Sequence, residues 1–252
     1  MPAPIALQLY TLREATKDGY EAVVRKVAEI GYAGVEPAGY PGTTAEAAGK
    51  LYKELGLRVP SIHARFPVGD MKNEVIETAQ AVDTKRVIAG IGRGEKWDTL
   101  DKIKENCDLI NEAAANVASH GLSVGYHNHW WEFDTFVDGR PAYQHMAELL
   151  DPSVFFQIDT YWVKVGGQDV VLVIKELGDR VPLLHVKDGP ADAPESDMVA
   201  VGSGVMDWKP IFAARAVDWH IVELDRCATD MVTAVADSYK YLTGEGFSSG
   251  NH

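Results

Sequence analysis

From Ser123 to His129 the chain reads SVGYHNH, and three later segments repeat its form: FFQIDTYW from Phe155, VPLLHVKD from Val181 and WHIVELD from Trp219. Each is a short run of β-formers that ends in a charged or imidazole side chain, the pattern of a buried strand with a polar group at its C-terminal end. Four similar runs precede them, near Ile5 (IALQLYT), Gly34 (GVEPA), Val59 (VPSIHA) and Arg86 (RVIAGI). Successive runs start 25 to 38 residues apart, close to the ~30 residues of a strand–helix–strand unit. Eight such units in a row predict an α/β protein, a (β/α)8 TIM barrel spanning residues 1–252 as one domain, with Ser248 to His252 as a polar tail.

The intervening stretches have helical spacing. Val23, Val24, Val27 and Ile30 share one face, with Gly31 as a left-handed stop. The longest helix is expected from about Trp97 to His120, with Leu100, Ile103, Cys107, Ile110 and Ala114 on one stripe and Gly121 past its end. Asp169 is placed to cap a helix that runs to Leu177 and stops at Gly178. No linker or low-complexity segment divides the chain.

Composition narrows the functional classes. Twenty-four Lys and Arg against 37 Asp and Glu give a net charge of −13, which repels nucleic acid and anionic membrane. Two cysteines, Cys107 and Cys227, are too few for a disulfide framework or a thiolate zinc site. One bridge between them stays open. The first residues have neither the basic start nor the apolar run of a secretory leader, and no segment approaches the ~18 apolar residues of a membrane span. A soluble, cytoplasmic protein is expected. Barrel helices can also supply a face for a homo-oligomer, although nothing in the sequence identifies one.

In a closed barrel the polar residues at strand ends meet at one mouth, where barrel enzymes hold their sites. His127, Asp159, His185 and Glu223 are spaced 32, 26 and 38 residues apart, which suits one ligand from each of four consecutive strands. Two imidazoles and two carboxylates match the donor preference of Mn2+, Zn2+, Co2+ or Mg2+. The alternative is four unrelated hydrogen-bonded core residues. His129 shares a strand face with His127 and is a candidate general acid/base, with a structural histidine or a third ligand as the other readings. Lys187 is a candidate for stabilising an oxyanion and Asp188 for contacting substrate, against an ordinary surface pair. Glu132 is either a substrate ligand, a base or a carboxylate that orients an imidazole.

Gln8, Glu36 and His63 hold comparable positions on the earlier strands and can hydrogen-bond a polyol, or stay satisfied within the core. Trp130, Trp131, Tyr161 and Trp162 flank the proposed ligands, either stacking on a sugar face or closing the core, and Trp162 is taken as a substrate contact. Gly166-Gly167 and Gly202-Ser203-Gly204 fit no phosphate motif. No G-x-S-x-G elbow precedes a helix, neither cysteine lies in a catalytic motif, and no G-x-G-x-x-G follows the first strand.

The segments LQLYTLR, GVEPAGY, VGYHNHWWEF, IDTYWVKVGG, LLHVKDG, VGSGVMDW and IVELD together resemble the sugar phosphate isomerase/epimerase family, the xylose-isomerase-like barrels. The resemblance spans nearly the whole chain. It implies a divalent metal held by Glu, Asp, His and Glu from strands five to eight, with Asp159, His185 and Glu223 on the last three. His127 stands where many relatives have Glu, so a mechanism with one glutamate on each face of the substrate is not carried over, and His129 or Glu223 has to supply a base. The function expected is a metal-dependent isomerase or epimerase that acts on a ketose or keto-polyol through an enediolate, with a sugar or cyclitol as partner. The alternatives are a lyase of the inosose dehydratase type and a non-catalytic sugar-binding barrel.

Overall fold

The computed structural model describes residues 2–94 and 96–251. One path of parallel pairing carries eight strands: β1 (Ala3–Gln8), β2 (Gly34–Glu36), β3 (Ile62–His63), β4 (Arg86–Ala89), β5 (Ser123–His127), β6 (Phe155–Asp159), β7 (Leu183–Val186) and β8 (Trp219–Val222). β8 returns to β1, with Leu7 opposite Val222, and β1 pairs with β2. The gap between β2 and β3 lacks a regular ladder. It is spanned by Arg58 N–H to the Ala33 carbonyl, Val35 N–H to the Arg58 carbonyl and His63 N–H to the Pro37 carbonyl. The sheet is therefore a nearly closed TIM barrel, as the eightfold pattern predicts.

The anticipated helices form for the reasons their sequences give. The helix Arg13–Ile30 is interrupted at Gly19, and Gly31 ends it at φ 115°. Leu100–Ala118, shorter than the expected span, is capped by the Thr99 hydroxyl and buries Ile103, Cys107, Ile110 and Ala114 of the stripe, whereas Leu100 in the first turn is exposed. Asp169 accepts from Leu172 N–H and so caps Val170–Leu177. Among the described residues no helix is long and apolar enough to cross a membrane. Cys107 and Cys227 are both free thiols.

The polar end of the chain departs from expectation. Ser248–Ser249 forms a short strand against the start of β1, and Asn251 N–H donates to the Gly31 carbonyl. Backbone pairing, which polar side chains do not oppose, incorporates the expected tail into the fold. His252 lies outside the described residues.

The barrel interior is layered by strand alternation. Its lower part is apolar, with Ala6, Ala33, Ile88, Phe155, Leu183, Trp219 and Ile221 in one cluster distinct from the larger core between sheet and helices. Two glycines make room for its rings. A Cβ on Gly125 would enter the Phe155 ring, and one on Gly34 would meet both Trp219 and the Arg58 carbonyl. Above this plug the same inward registers turn polar: Gln8, Glu36, Ser61, His63, His127, Gln157, Asp159, His185, Lys187 and Glu223.

Candidate metal centre at the barrel mouth

On each strand face the polar residues follow an apolar or glycine position of the same register, as in Leu183-His185-Lys187 and Trp219-Ile221-Glu223. Strand direction then sets their height, and pairing brings them together: Asp159 lies opposite His185 and His127 opposite Gln157. His127, Asp159, His185 and Glu223 each offer one ligand atom, all within 4.8 Å of one another, and all four residues are buried. His127 Nε2 stands 3.8 Å from Asp159 Oδ2, and His185 Nδ1 2.8 Å from Glu223 Oε2.

Asp159 uses Oδ1 to accept from Trp162 N–H at the start of the following helix. Its Oδ2 receives no well-directed hydrogen bond, because Lys187 Nζ at 2.9 Å is an ion-pair partner outside hydrogen-bond geometry. A buried carboxylate oxygen aimed at two imidazoles and a second carboxylate, without a hydrogen bond of its own, fits a divalent cation.

Lys187 is drawn into this group as well. Its ammonium lies 2.7 Å from Glu223 Oε2 and 2.6 Å from Asp225 Oδ2, in addition to Asp159. Burial opposes its charge, but the carboxylates of Asp159, Asp225 and Glu223 outweigh that and hold its pKa well above the usual lysine range. Burial also pushes Asp159 up to about 6 against the pull of Lys187 and His185. For Glu223 burial is overcome by Lys187 and His185, which keep it well below the usual range and ionised. His185 loses stability as a cation through burial, yet Glu36 and Glu223 raise it to about 10.

His129 packs flat on Trp131 with ring centroids 4.1 Å apart, and its Nδ1 is buried without a partner. Burial, helped by Lys187, lowers its pKa to about 3, so it is a neutral imidazole at physiological pH. Trp162 Nε1 is likewise unpartnered, with Lys187 Nζ 5.2 Å from the ring centroid. His63 is the more exposed imidazole and borders an opening of about 380 Å3 with Arg65, Phe66 and Gly90. A larger concavity of about 1120 Å3 lies at the opposite end, among Lys50, Arg58, Lys85 and Trp219. It holds none of the clustered groups, and the strand ends there start the chain's passage through the barrel.

Four expected substrate contacts are hydrogen-bonded to other parts of the protein. Both oxygens of Glu132 are taken, Oε1 by the Tyr126 hydroxyl (2.5 Å) and Oε2 by His129 N–H (2.8 Å), so it braces the turn after β5. Asp188 falls on the opposite strand face from Lys187. It accepts from Gly189 and Met206 N–H on one oxygen and from Gly202 N–H and Trp208 Nε1 on the other, which makes it the clamp of the loop after β7. Glu36 lies below the cluster, with Gln8, Ser61, Gln157 and His185 on its two oxygens. Gln8 spends its amide on Glu36 and Tyr10 N–H. Each is fully buried, and its polar atoms are hydrogen-bonded within the protein.

Three participants are absent from the sequence reading: Gln157, Ser61 and Asp225. Gln157 donates Nε2 to Glu36 Oε1 (2.7 Å), while its Oε1 stands 2.7 Å from His63 Nε2 and 3.0 Å from His127 Nδ1. The signal was present, since each lies two residues from a named site residue: Ser61 from His63, Gln157 from Asp159 and Asp225 from Glu223.

Comparison with known proteins agrees with this architecture. A profile described as xylose isomerase-like TIM barrel matches residues 24–214. A sugar phosphate isomerase/epimerase from Parabacteroides distasonis superposes with a TM-score of 0.80 at 26% identity, covering 98% of this chain and 100% of that one. The IOLI protein, solved with a zinc atom, superposes with a TM-score of 0.75 at 16% identity over 99% of this chain and 100% of that one. An inosose dehydratase from Geobacillus kaustophilus is 28% identical over 167 residues, 58% of this chain and 49% of that protein. The chain thus spans about half the length of the curated relatives it matches.

Proposed function

Because the chain belongs to the xylose isomerase-like TIM barrel family, we propose that it is a divalent-metal-dependent isomerase or epimerase of a ketose or keto-polyol, a small sugar or cyclitol. The observation that carries this reading is the buried convergence of His127, Asp159, His185 and Glu223 at the end of four neighbouring strands. These four residues would hold the ion. When bound, it would supply positive charge beside a substrate carbonyl and so acidify the adjacent C–H.

The chain's own residues then divide the work. Glu223, ionised at the mouth, is the base that takes the α-proton. Lys187, kept as an ammonium by three carboxylates, stabilises the negative charge that develops on the substrate oxygen. His129, whose buried Nδ1 has no partner, is the group for proton exchange on the far side. His63 and Trp162 Nε1 offer hydrogen bonds to substrate hydroxyls. Returning the proton to a different carbon, or to the other face, gives isomerisation or epimerisation.

Loss of a β-hydroxyl from the same enediolate would be dehydration, the second reading, which the partial likeness to inosose dehydratases favours. The test is proton NMR of ketoses and inososes in deuterated buffer with Zn2+ or Mg2+. Deuterium should enter the α-position in the wild type and much more slowly in Glu223→Gln and His129→Ala. A new isomer supports the first reading and an unsaturated product the second. Unchanged α-protons across the panel, with sugar still bound after chelation, would reduce the protein to a sugar-binding barrel.

A further inference from the structure

Below the proposed ligands, Gln157 and Glu36 form a buried pair whose hydrogen bonds can run in only one sense. An ionised carboxylate only accepts, so the group of Gln157 that lies 2.7 Å from Glu36 Oε1 is its amide nitrogen. The reverse orientation would set two acceptor oxygens against each other. Glu36 is itself fixed from the other side, where Gln8 Nε2 donates to its Oε2 (2.9 Å) and the Ser61 hydroxyl to its Oε1. The amide oxygen of Gln157 therefore faces the imidazoles, and an amide oxygen only accepts. Both nitrogens that it meets, His63 Nε2 at 2.7 Å and His127 Nδ1 at 3.0 Å, must carry hydrogen.

We infer that Gln157 is a positioning residue that holds His127 as its Nδ1–H tautomer, so that Nε2, the nitrogen facing Asp159, keeps the lone pair a cation needs. This role rests on the metal centre proposed above. A ligating imidazole is neutral and has one nitrogen to give, so fixing the proton on Nδ1 decides which atom binds. Glu36 does the reverse for His185. Its Oε2 lies 2.6 Å from His185 Nε2, which reserves Nδ1 for the side where Glu223 stands. One hydrogen-bonded pair thus sets opposite tautomers on two ligands from strands β5 and β7. It also explains how an imidazole serves at a strand position where a carboxylate, which has no tautomer to select, would need no such partner.

The test uses long-range proton–nitrogen NMR of the 15N-labelled full chain, with and without Zn2+, the His127 and His185 signals being assigned by single substitution. His127 should be the Nδ1–H tautomer in both conditions, and zinc-bound His185 the Nε2–H tautomer. Gln157→Leu, which keeps the volume but removes the acceptor, should mix the His127 tautomers and weaken Zn2+ binding roughly 10- to 100-fold in competition with a chelating dye. A wild-type His127 in the Nε2–H form overturns the inference even if Gln157→Leu fails to fold. So does a folded Gln157→Leu with an unchanged spectrum and Zn2+ affinity within threefold. A wild type that binds no Zn2+ sinks the metal centre itself, whereas the metal-free tautomer still reports on Gln157 alone.

Discussion

Replacing Asp188 by Ala separates a structural clamp from a substrate contact, because the two roles predict opposite patterns. The carboxylate holds four donors: Gly189 N–H at 2.9 Å, Met206 N–H at 3.1 Å, Gly202 N–H at 2.9 Å and Trp208 Nε1 at 3.1 Å. Gly202 is exposed, so water can replace its partner, whereas Met206 and Trp208 are buried. Each hydrogen bond to a charged group contributes about 1.5–3 kcal/mol. Three poorly hydrated donors left unpaired then cost about 4 kcal/mol or more. For a chain of this size that corresponds to a fall in Tm of roughly 8–16 °C. Asp188→Asn should do no better than Ala, because its NH2 would confront two of the donors. Circular dichroism melts read the stability, and Zn2+ titration reads whether the mouth survives at low temperature. A variant that melts within about 2 °C of the wild type, but shows a raised KM for substrate, would refute the clamp.

Three further outcomes follow from the buried charges. Glu132 is pushed by burial from 4.5 to about 8, so its neutral form stabilises the fold. That contribution is complete below pH 4.5 and is lost as pH rises towards 8, on the order of 5 kcal/mol at most. Glu132→Gln should flatten this part of the stability–pH profile in urea denaturation, and an unchanged slope would reject the buried carboxyl as its source. Metal binding at His185, raised to about 10, has to displace a proton, so between pH 7 and 9 about one proton should be released and affinity should rise about tenfold per pH unit. Calorimetry in buffers of different ionisation enthalpy measures this, and a buffer-independent heat would contradict it. His185→Ala and Glu223→Ala should each lose bound metal without losing the barrel's far-ultraviolet spectrum, whereas full metal content in both would reject the ligand assignment.

The sequence carried the strands and helices because each depends on local periodicity and local stops. The stripe from Ile103 to Ala114, the Asp169 cap and the glycine after Ile30 are all short-range signals, and each element forms where they direct. Among polar residues, the strand-end rule brought His127, Asp159, His185 and Glu223 to one place. It gave no information about height. Glu36 shares the inward face with the cluster but is bound to Gln157, one inward step before Asp159, since depth in a barrel depends on strand tilt and stagger, properties of the closed sheet. Glu132 and Asp188 read as chemistry from their neighbours in sequence, yet their hydrogen-bond partners are turns and loops whose course no period encodes.

Alternation by itself determined which side chains enter the barrel, because successive residues of a strand must point to opposite faces whatever the rest of the chain does. Only the tertiary structure decided which of those side chains meet, and with which atoms. Contacts such as those of Glu36 with Gln157 and His185 join strands far apart in sequence, and their geometry exists only once the sheet has curved round on itself.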